Sequence, residues 1–98
     1  MSEQAPLSDI ERQQLRSAKR MIEKRGGWSH GWPETDDDPP CLGFACIEAG
    51  LRWRRAEEVL RPYFPAYARG SIAEFNDHWR TRKRDVLAVL DSALEVQP

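Results

Sequence analysis

A chain of 98 residues with 40% hydrophobic content has material for one hydrophobic core and not two, so a single domain over residues 1–98 is expected, with residues 1–7 and 96–98 as flexible tails. Fifteen basic and sixteen acidic residues leave a net charge of −1, which excludes a nucleic-acid or membrane-surface role driven by global charge; any such role needs a local patch. No stretch approaches the roughly 20 consecutive apolar residues of a membrane span, and the start MSEQAPLSDIE lacks a basic-then-apolar leader, so a cytoplasmic protein without a membrane partner is expected.

Ser8-Asp9-Ile10-Glu11 has the form of a capping box, in which the Ser8 hydroxyl accepts from a first-turn amide and Glu11 reaches back to the Ser8 amide. Leu15, Ala18, Met21 and Ile22 recur at three and four residues, and Gly26-Gly27 offers a left-handed stop. These signals predict a first helix over residues 8–25. The next stretch, 26–39, reads GGWSHGWPETDDDP and has neither helical nor alternating period, so it is a long loop. Loops of a dozen or more residues inside a compact domain tend to be functional or disordered, and Trp28 and Trp32 argue that this one is packed down by its own rings.

Pro40 suits a first helical position, and Asp36, Asp37 and Asp38 lie just upstream, where a helix dipole favours negative charge. A second helix is predicted from Pro40 to Gly50. On a helical wheel Cys41, Leu42, Ala45, Cys46 and Ala49 share one broad face, Phe44 and Ile47 lie opposite, and only Glu48 is charged. A helix apolar on nearly every side must be surrounded, which makes this short segment the central helix of the fold. Its two cysteines, five residues apart, cannot bridge within one helix, in keeping with a reducing compartment.

Residues 52–61 continue as a third helix with Ala56, Val59 and Leu60 inward and Arg52, Arg54, Arg55, Glu57 and Glu58 outward, ended by Pro62. PYFPAYARG (62–70) is a connector whose rings can cover a core edge. Ser71-Ile72-Ala73-Glu74 repeats the capping-box pattern and starts a fourth helix with Ile72, Phe75 and Trp79 on one stripe and Asn76 beside it. Thr81 is placed to cap a last helix that buries Val86, Leu87, Leu90, Ala93 and Leu94. With no alternating β-branched run, the class is all-α: a compact bundle of about five helices around a short buried central helix, with a long Trp-containing loop after the first.

The ordered pattern Arg25-Gly26-x-Trp28, Cys41-Leu42-x-x-Ala45, Asn76-Asp77 and Arg80-Thr81 before a Val- and Leu-rich last helix resembles a family of small bacterial and phage-borne proteins known only as a domain of unknown function. The likeness spans about residues 10–95. Gly43 matches the small residue that family places after Cys-Leu, while Arg84 stands where it commonly has an acidic residue. The resemblance implies a helical fold and a cellular setting, and it implies no reaction or ligand.

Several groups of residues carry possible chemistry. Cys41 in the opening turn of a helix sees aligned amide dipoles, and His30 or His78 could serve as its base in a thiol-dependent hydrolase or transferase. Three upstream aspartates oppose thiolate formation, and free cysteine is commonly a small buried hydrophobe, so the structural reading is preferred and no catalytic residue is favoured. Glu34 with the aspartates lacks the alternating ligand spacing of a calcium loop, and the cysteine and histidine spacings match no zinc finger. Neither a metal nor any other cofactor is expected.

Asn76, beside an apolar stripe, needs hydrogen-bond partners and is expected to tie down either the 26–39 loop or the start of the central helix. Asp77 is expected to pair with an arginine, and Glu48 needs the same help if it is buried. Arg80, Arg82, Lys83 and Arg84 form a basic knot at the start of the last helix, opposed to its dipole and calling for compensation. Trp79 is assigned to the core by its helical spacing, whereas Trp28, Trp32 or Trp53 at the surface would anchor a protein contact. The leading expectation is a non-enzymatic module that docks its aromatic and charged surface onto another protein. Nucleic-acid binding through Arg80 to Arg84 is less favoured, given a sequence pI near 6.1.

Overall fold

The computed structural model describes residues 7–24, 27–31, 33–35 and 37–95. In chain order these form α1 (Asp9–Glu23), α2 (Leu42–Glu48), α3 (Trp53–Leu60), a 3₁₀ turn (Arg61–Tyr63), α4 (Ile72–Asp77) and α5 (Lys83–Glu95). The protein is all-helical, with no strand among the described residues. Helices α1 and α5 pack together, and α2 lies on α1 with α3 and α4 beside it. The tails 1–6 and 96–98 lie outside the described residues, while Leu7 is half-buried against the core. No helix among the described residues is long and apolar enough to cross a membrane.

Both halves of the first capping box form: the Glu11 amide donates to Ser8 Oγ at 3.1 Å and the Ser8 amide to Glu11 Oε1 at 3.0 Å. Helix α1 stops at Glu23, because Lys24 turns extended (φ −57°, ψ 146°). Gly26 of the expected left-handed stop lies outside the described residues, and Gly27 is not left-handed; the described glycines with positive φ are Gly31 and Gly50. Gly27 is instead required for space, since its amide bonds the Lys24 carbonyl at 2.7 Å and a Cβ would overlap the carbonyls of α1's last turn. Glu11 also crosses to α3, where its Oε2 lies 2.7 Å from Arg55 Nε, and Arg55 pairs with Glu58 as well. This guanidinium holds the Glu11 carboxyl down to about 2 from an ordinary 4.5. Lys19 Nζ meets Asp91 at 2.6 Å and links α1 to α5.

The central helix differs from its predicted form in two respects. Pro40 is outside it: Cys41 is the N-cap, extended at φ −84° and ψ 172°, and its Sγ accepts from the Phe44 amide at 3.3 Å. A capping residue must leave helical backbone geometry, so the helix starts two residues later than Pro40, at Leu42. Nor is α2 enclosed on all sides. Leu42, Gly43, Ala45 and Cys46 are buried by α1, α3 and α4, but Phe44 is half-buried, Ile47 is 42% exposed and Glu48 faces water. Three neighbouring helices leave a fourth side open, and Glu48 on that side has no buried charge to compensate.

Leu15, Ile22, Leu42, Leu60, Phe64, Phe75 and Leu90 form the middle of the core, where the Phe64 and Phe75 rings stack with centroids 4.8 Å apart. In α5 the buried residues are Val86, Val89, Leu90 and Ala93, with Leu87 and Leu94 half-buried at the margins. Thr81 is not the cap of α5. Arg82 precedes the helix, its amide donating to Asp85 Oδ2 at 2.8 Å, and Thr81 is wholly buried with its hydroxyl 3.0 Å from Tyr67 OH. Thr81 thus stands one residue before the position that precedes the helix, with its hydroxyl turned to the connector.

Candidate functional site

Helix α4 is six residues long and is fixed at both ends. At its start Ser71 Oγ accepts from the Glu74 amide at 3.0 Å, and Glu57 of α3 accepts from the Ile72 amide at 2.9 Å. At its other end Asn76, only 1% exposed, makes four hydrogen bonds. Its Oδ1 accepts from Trp28 Nε1 at 2.6 Å and from the Leu42 amide at 2.9 Å, while Nδ2 donates to the Ser29 carbonyl at 3.2 Å and to Asp77 Oδ1 at 3.0 Å. The Leu42 amide is one of the first-turn donors of α2 that no helical carbonyl can reach. Asn76 therefore holds the loop and the start of the central helix with one side chain.

Asp77 continues this clamp outward. Its Oδ1 accepts from the Gly31 amide at 2.7 Å, so its partner is a loop amide and not an arginine, because the loop folds back onto the end of α4 and brings that amide within reach. Ser29 closes the loop's ends, its hydroxyl donating to the Pro39 carbonyl at 3.2 Å and its amide to that of Pro40 at 3.3 Å. Asp38 Oδ2 accepts from the amides of Glu34 and Thr35 at 3.0 and 3.1 Å. This carboxylate organises the loop's own turn rather than sitting on the α2 dipole; Asp36 and Trp32 lie outside the described residues. Trp28 is half-buried with its ring edge-on to His30, centroids 4.9 Å apart. Trp53 is half-buried against Gly43, where any Cβ would overlap its ring.

A cavity of about 90 Å³ lies beside the clamp, lined by Gly31, Cys41, Gly43, Trp53, Asn76 and Asp77 among others. Cys41 is 5% exposed in its wall. Burial pushes its thiol pKa up, outweighing the Phe44 and Gly43 amides that pull it down, and burial takes Cys46 to about 12. Both thiols are free. Neither histidine reaches Cys41: His30 Nε2 lies 3.1 Å from the Thr81 carbonyl, to which it can only donate, and His78 Nδ1 accepts from the Arg80 amide at 3.1 Å. Among the described residues no three His, Cys, Asp or Glu side chains converge as a metal site would need.

The other face of the same segment is open. Helix α4 ends at Asp77 and His78 turns extended (φ −66°, ψ 137°), so Trp79 leaves the stripe on which Ile72 and Phe75 are buried. Instead of joining the core, its side chain is 75% exposed. The ring is nonetheless braced. His78 stacks near it with centroids 5.8 Å apart and an interplanar angle of 24°, and His78 in turn meets the Tyr67 ring at 4.4 Å. Arg80 Cζ sits 4.8 Å above Tyr67, and Arg82 donates to the Trp79 carbonyl at 3.0 Å.

The basic knot thus divides. Lys83 is half-buried and turns inward, its ammonium donating to the Glu23 and Lys24 carbonyls at 3.3 and 2.8 Å and so compensating the exposed end of α1. Arg80 and Arg82 stay with the aromatic group, and Arg84 faces water. Periodicity missed Trp79, Tyr67 and His78 as a group. The available signal was the run Asn76-Asp77-His78, three weak helix formers that end α4 before the stripe reaches Trp79.

Comparison with known proteins adds one relationship. The model of a family described as a family of unknown function, DUF6197, matches residues 9–96. No curated protein and no solved structure matches the chain.

Proposed function

Starting from a chain that belongs to the DUF6197 family, we propose that it is a small protein-binding module whose contact surface is the Tyr67, His78, Trp79, Arg80 and Arg82 face. The observation that carries this reading is the 75% exposure of Trp79, whose ring lies beside that of His78 and whose backbone carbonyl is held by Arg82. An indole in water gains from burial at an interface, and tryptophan, tyrosine and arginine are the residues that most often dominate binding energy. The neighbouring His78 ring restricts the indole, and the Arg82 bond to the Trp79 carbonyl restricts the backbone beneath it, which reduces the conformational freedom that association would otherwise remove. The clamp of Asn76 and Asp77 supports the same segment from behind. The buried thiol that caps α2 supports a filling role for Cys41 over a chemical one.

A module of this size acts by occupying a surface of its partner. Inhibition of a host or defence protein, as a phage-borne product would perform it, is the form of this function suggested by analogy. The test is capture from a bacterial lysate by immobilised wild-type protein, Trp79→Ala, and Ile10→Ala, which removes another exposed apolar side chain (67%). The reading predicts a partner retained by wild type and Ile10→Ala and reduced at least about tenfold with Trp79→Ala. Equal retention by Trp79→Ala would overturn it.

A further inference from the structure

We infer that the partner presents to this face an extended acidic segment, in which carboxylates alternate with apolar side chains. This rests on the reading of the Trp79 face as a docking surface and names the chemistry it takes. Residues 67–84 contain five basic residues, Arg69, Arg80, Arg82, Lys83 and Arg84, against two acidic ones, Glu74 and Asp77, in a chain whose net charge is −1. Both carboxylates are already engaged by backbone amides, Glu74 by Gly70 at 2.9 Å and Asp77 by Gly31 at 2.7 Å. Among the described residues none of the four arginines forms an ion pair. The segment therefore keeps a net charge of +3, with Asp85 just beyond it on the Arg82 amide at 2.8 Å.

The two guanidiniums nearest the indole are placed for carboxylates. Arg80 holds its guanidinium carbon 4.8 Å over the Tyr67 ring, which keeps the group at this face and leaves its N–H groups to meet a planar anion two-pronged. Arg82 uses one of its five N–H donors on the Trp79 carbonyl, which anchors the side chain and leaves the rest. The indole supplies the apolar part of the recognition: His78 stacks near it, and most of its surface is open to solvent. Side chains alternate along an extended strand, so a segment of alternating apolar and acidic residues can lay ring or methylene groups on Trp79 while its carboxylates meet Arg80 and Arg82.

A single-stranded nucleic acid would use the same stacking and charge. The acidic peptide is the better fit because this face offers one open ring, Trp79, with Tyr67 already lying against His78 and Arg80, whereas a single strand stacks successive bases on successive rings.

The experiment is fluorescence anisotropy of the full-length chain with two probes, a fluorescein-labelled glutamate–proline repeat peptide and a fluorescein-labelled oligothymidylate of matched length. The peptide should bind saturably and weaken at least about tenfold between low and high salt, as charge contacts require. Trp79→Ala and Arg80→Glu should each weaken it at least about tenfold. No saturable peptide binding, peptide binding unchanged in both variants, or tighter binding of the oligothymidylate would each overturn the inference. The docking reading fails separately: if Trp79-dependent capture persists while the peptide does not bind, only the acidic class is wrong, and if capture itself is indifferent to Trp79, both fall.

Discussion

Asn76 and Trp79 lie three residues apart, and the chain treats them in opposite ways. Asn76, the polar one, is buried with all of its side-chain hydrogen bonds made, whereas Trp79, the largest apolar side chain type, stands in water. The difference follows from where α4 ends. Helical phase carries Ile72 and Phe75 into the core and brings Asn76 beside them, and the extended backbone at His78 then cancels that phase for everything after it. A helix terminus can thus put a polar clamp inside and an apolar anchor outside within one turn's length of chain. The inner side holds the fold together and the outer side is available for contact.

The sharpest way to break the inner side is Asn76→Ala. It leaves the Trp28 indole N–H and the Leu42 amide without an acceptor and the Ser29 carbonyl without its side-chain donor, at a cost of roughly 3 to 5 kcal/mol for several buried groups left unpaired. Thermal unfolding should show a Tm drop of roughly 10 °C or more for a chain of this size. An unchanged Tm would mean the loop and α2 do not depend on this side chain. Next in size is Gly43→Ala, which pushes a methyl group into the Trp53 ring. Overpacking at a closed helix contact costs about 1 to 3 kcal/mol, read as a lower midpoint in urea.

The Glu11–Arg55 pair gives a smaller effect with a definite pH window. The folded carboxyl at about 2 lies below its unfolded value of 4.5, so its contribution is complete above pH 4.5 and is lost as pH falls from there towards 2. Because the pair is at the protein's rim, with side chains 20 and 21% exposed, solvent screening limits it to about 1 kcal/mol. Wild type should lose more stability across that interval than Arg55→Met, and parallel curves would contradict the assignment. The smallest change in stability belongs to Cys41→Ser, which replaces one capping acceptor by another and should shift stability by less than about 1 kcal/mol. In the same region the native thiols should react with a disulfide reagent at pH 7.5 at least about a hundredfold more slowly than in denaturant. A fast native reaction of Cys41 with that reagent would show a reactive thiol where the fold shows a buried cap.

Most of the scaffold could be read from local signals. The Ser8 and Ser71 caps mark where α1 and α4 start, and the stripes of Leu15, Ala18 and Ile22 and of Val86, Leu90 and Ala93 mark what is buried. Such features depend on neighbours in sequence, and a pattern records them directly. What periodicity could not supply depends on approach across the chain. Cys41 as a cap, Thr81 turned to Tyr67, and Asp77 taken by a loop amide are choices among competing partners settled only when distant segments meet. Trp79 was misassigned because its stripe was extended past the end of a six-residue helix. The open side of α2 escaped for a related reason, since an all-apolar wheel says what a helix tolerates and not how many neighbours it has.

Whether Trp79, and not Trp28 of the loop, is where this protein meets a partner can be tested with ¹⁵N-labelled indoles followed by NMR during titration with the glutamate–proline peptide. The Trp79 signal, assigned by its disappearance in Trp79→Ala, should move or broaden in step with binding while the Trp28 signal, held by Asn76 at 2.6 Å, stays in place. A Trp28 signal that shifts while that of Trp79 remains still would contradict the account and relocate the working surface to the loop.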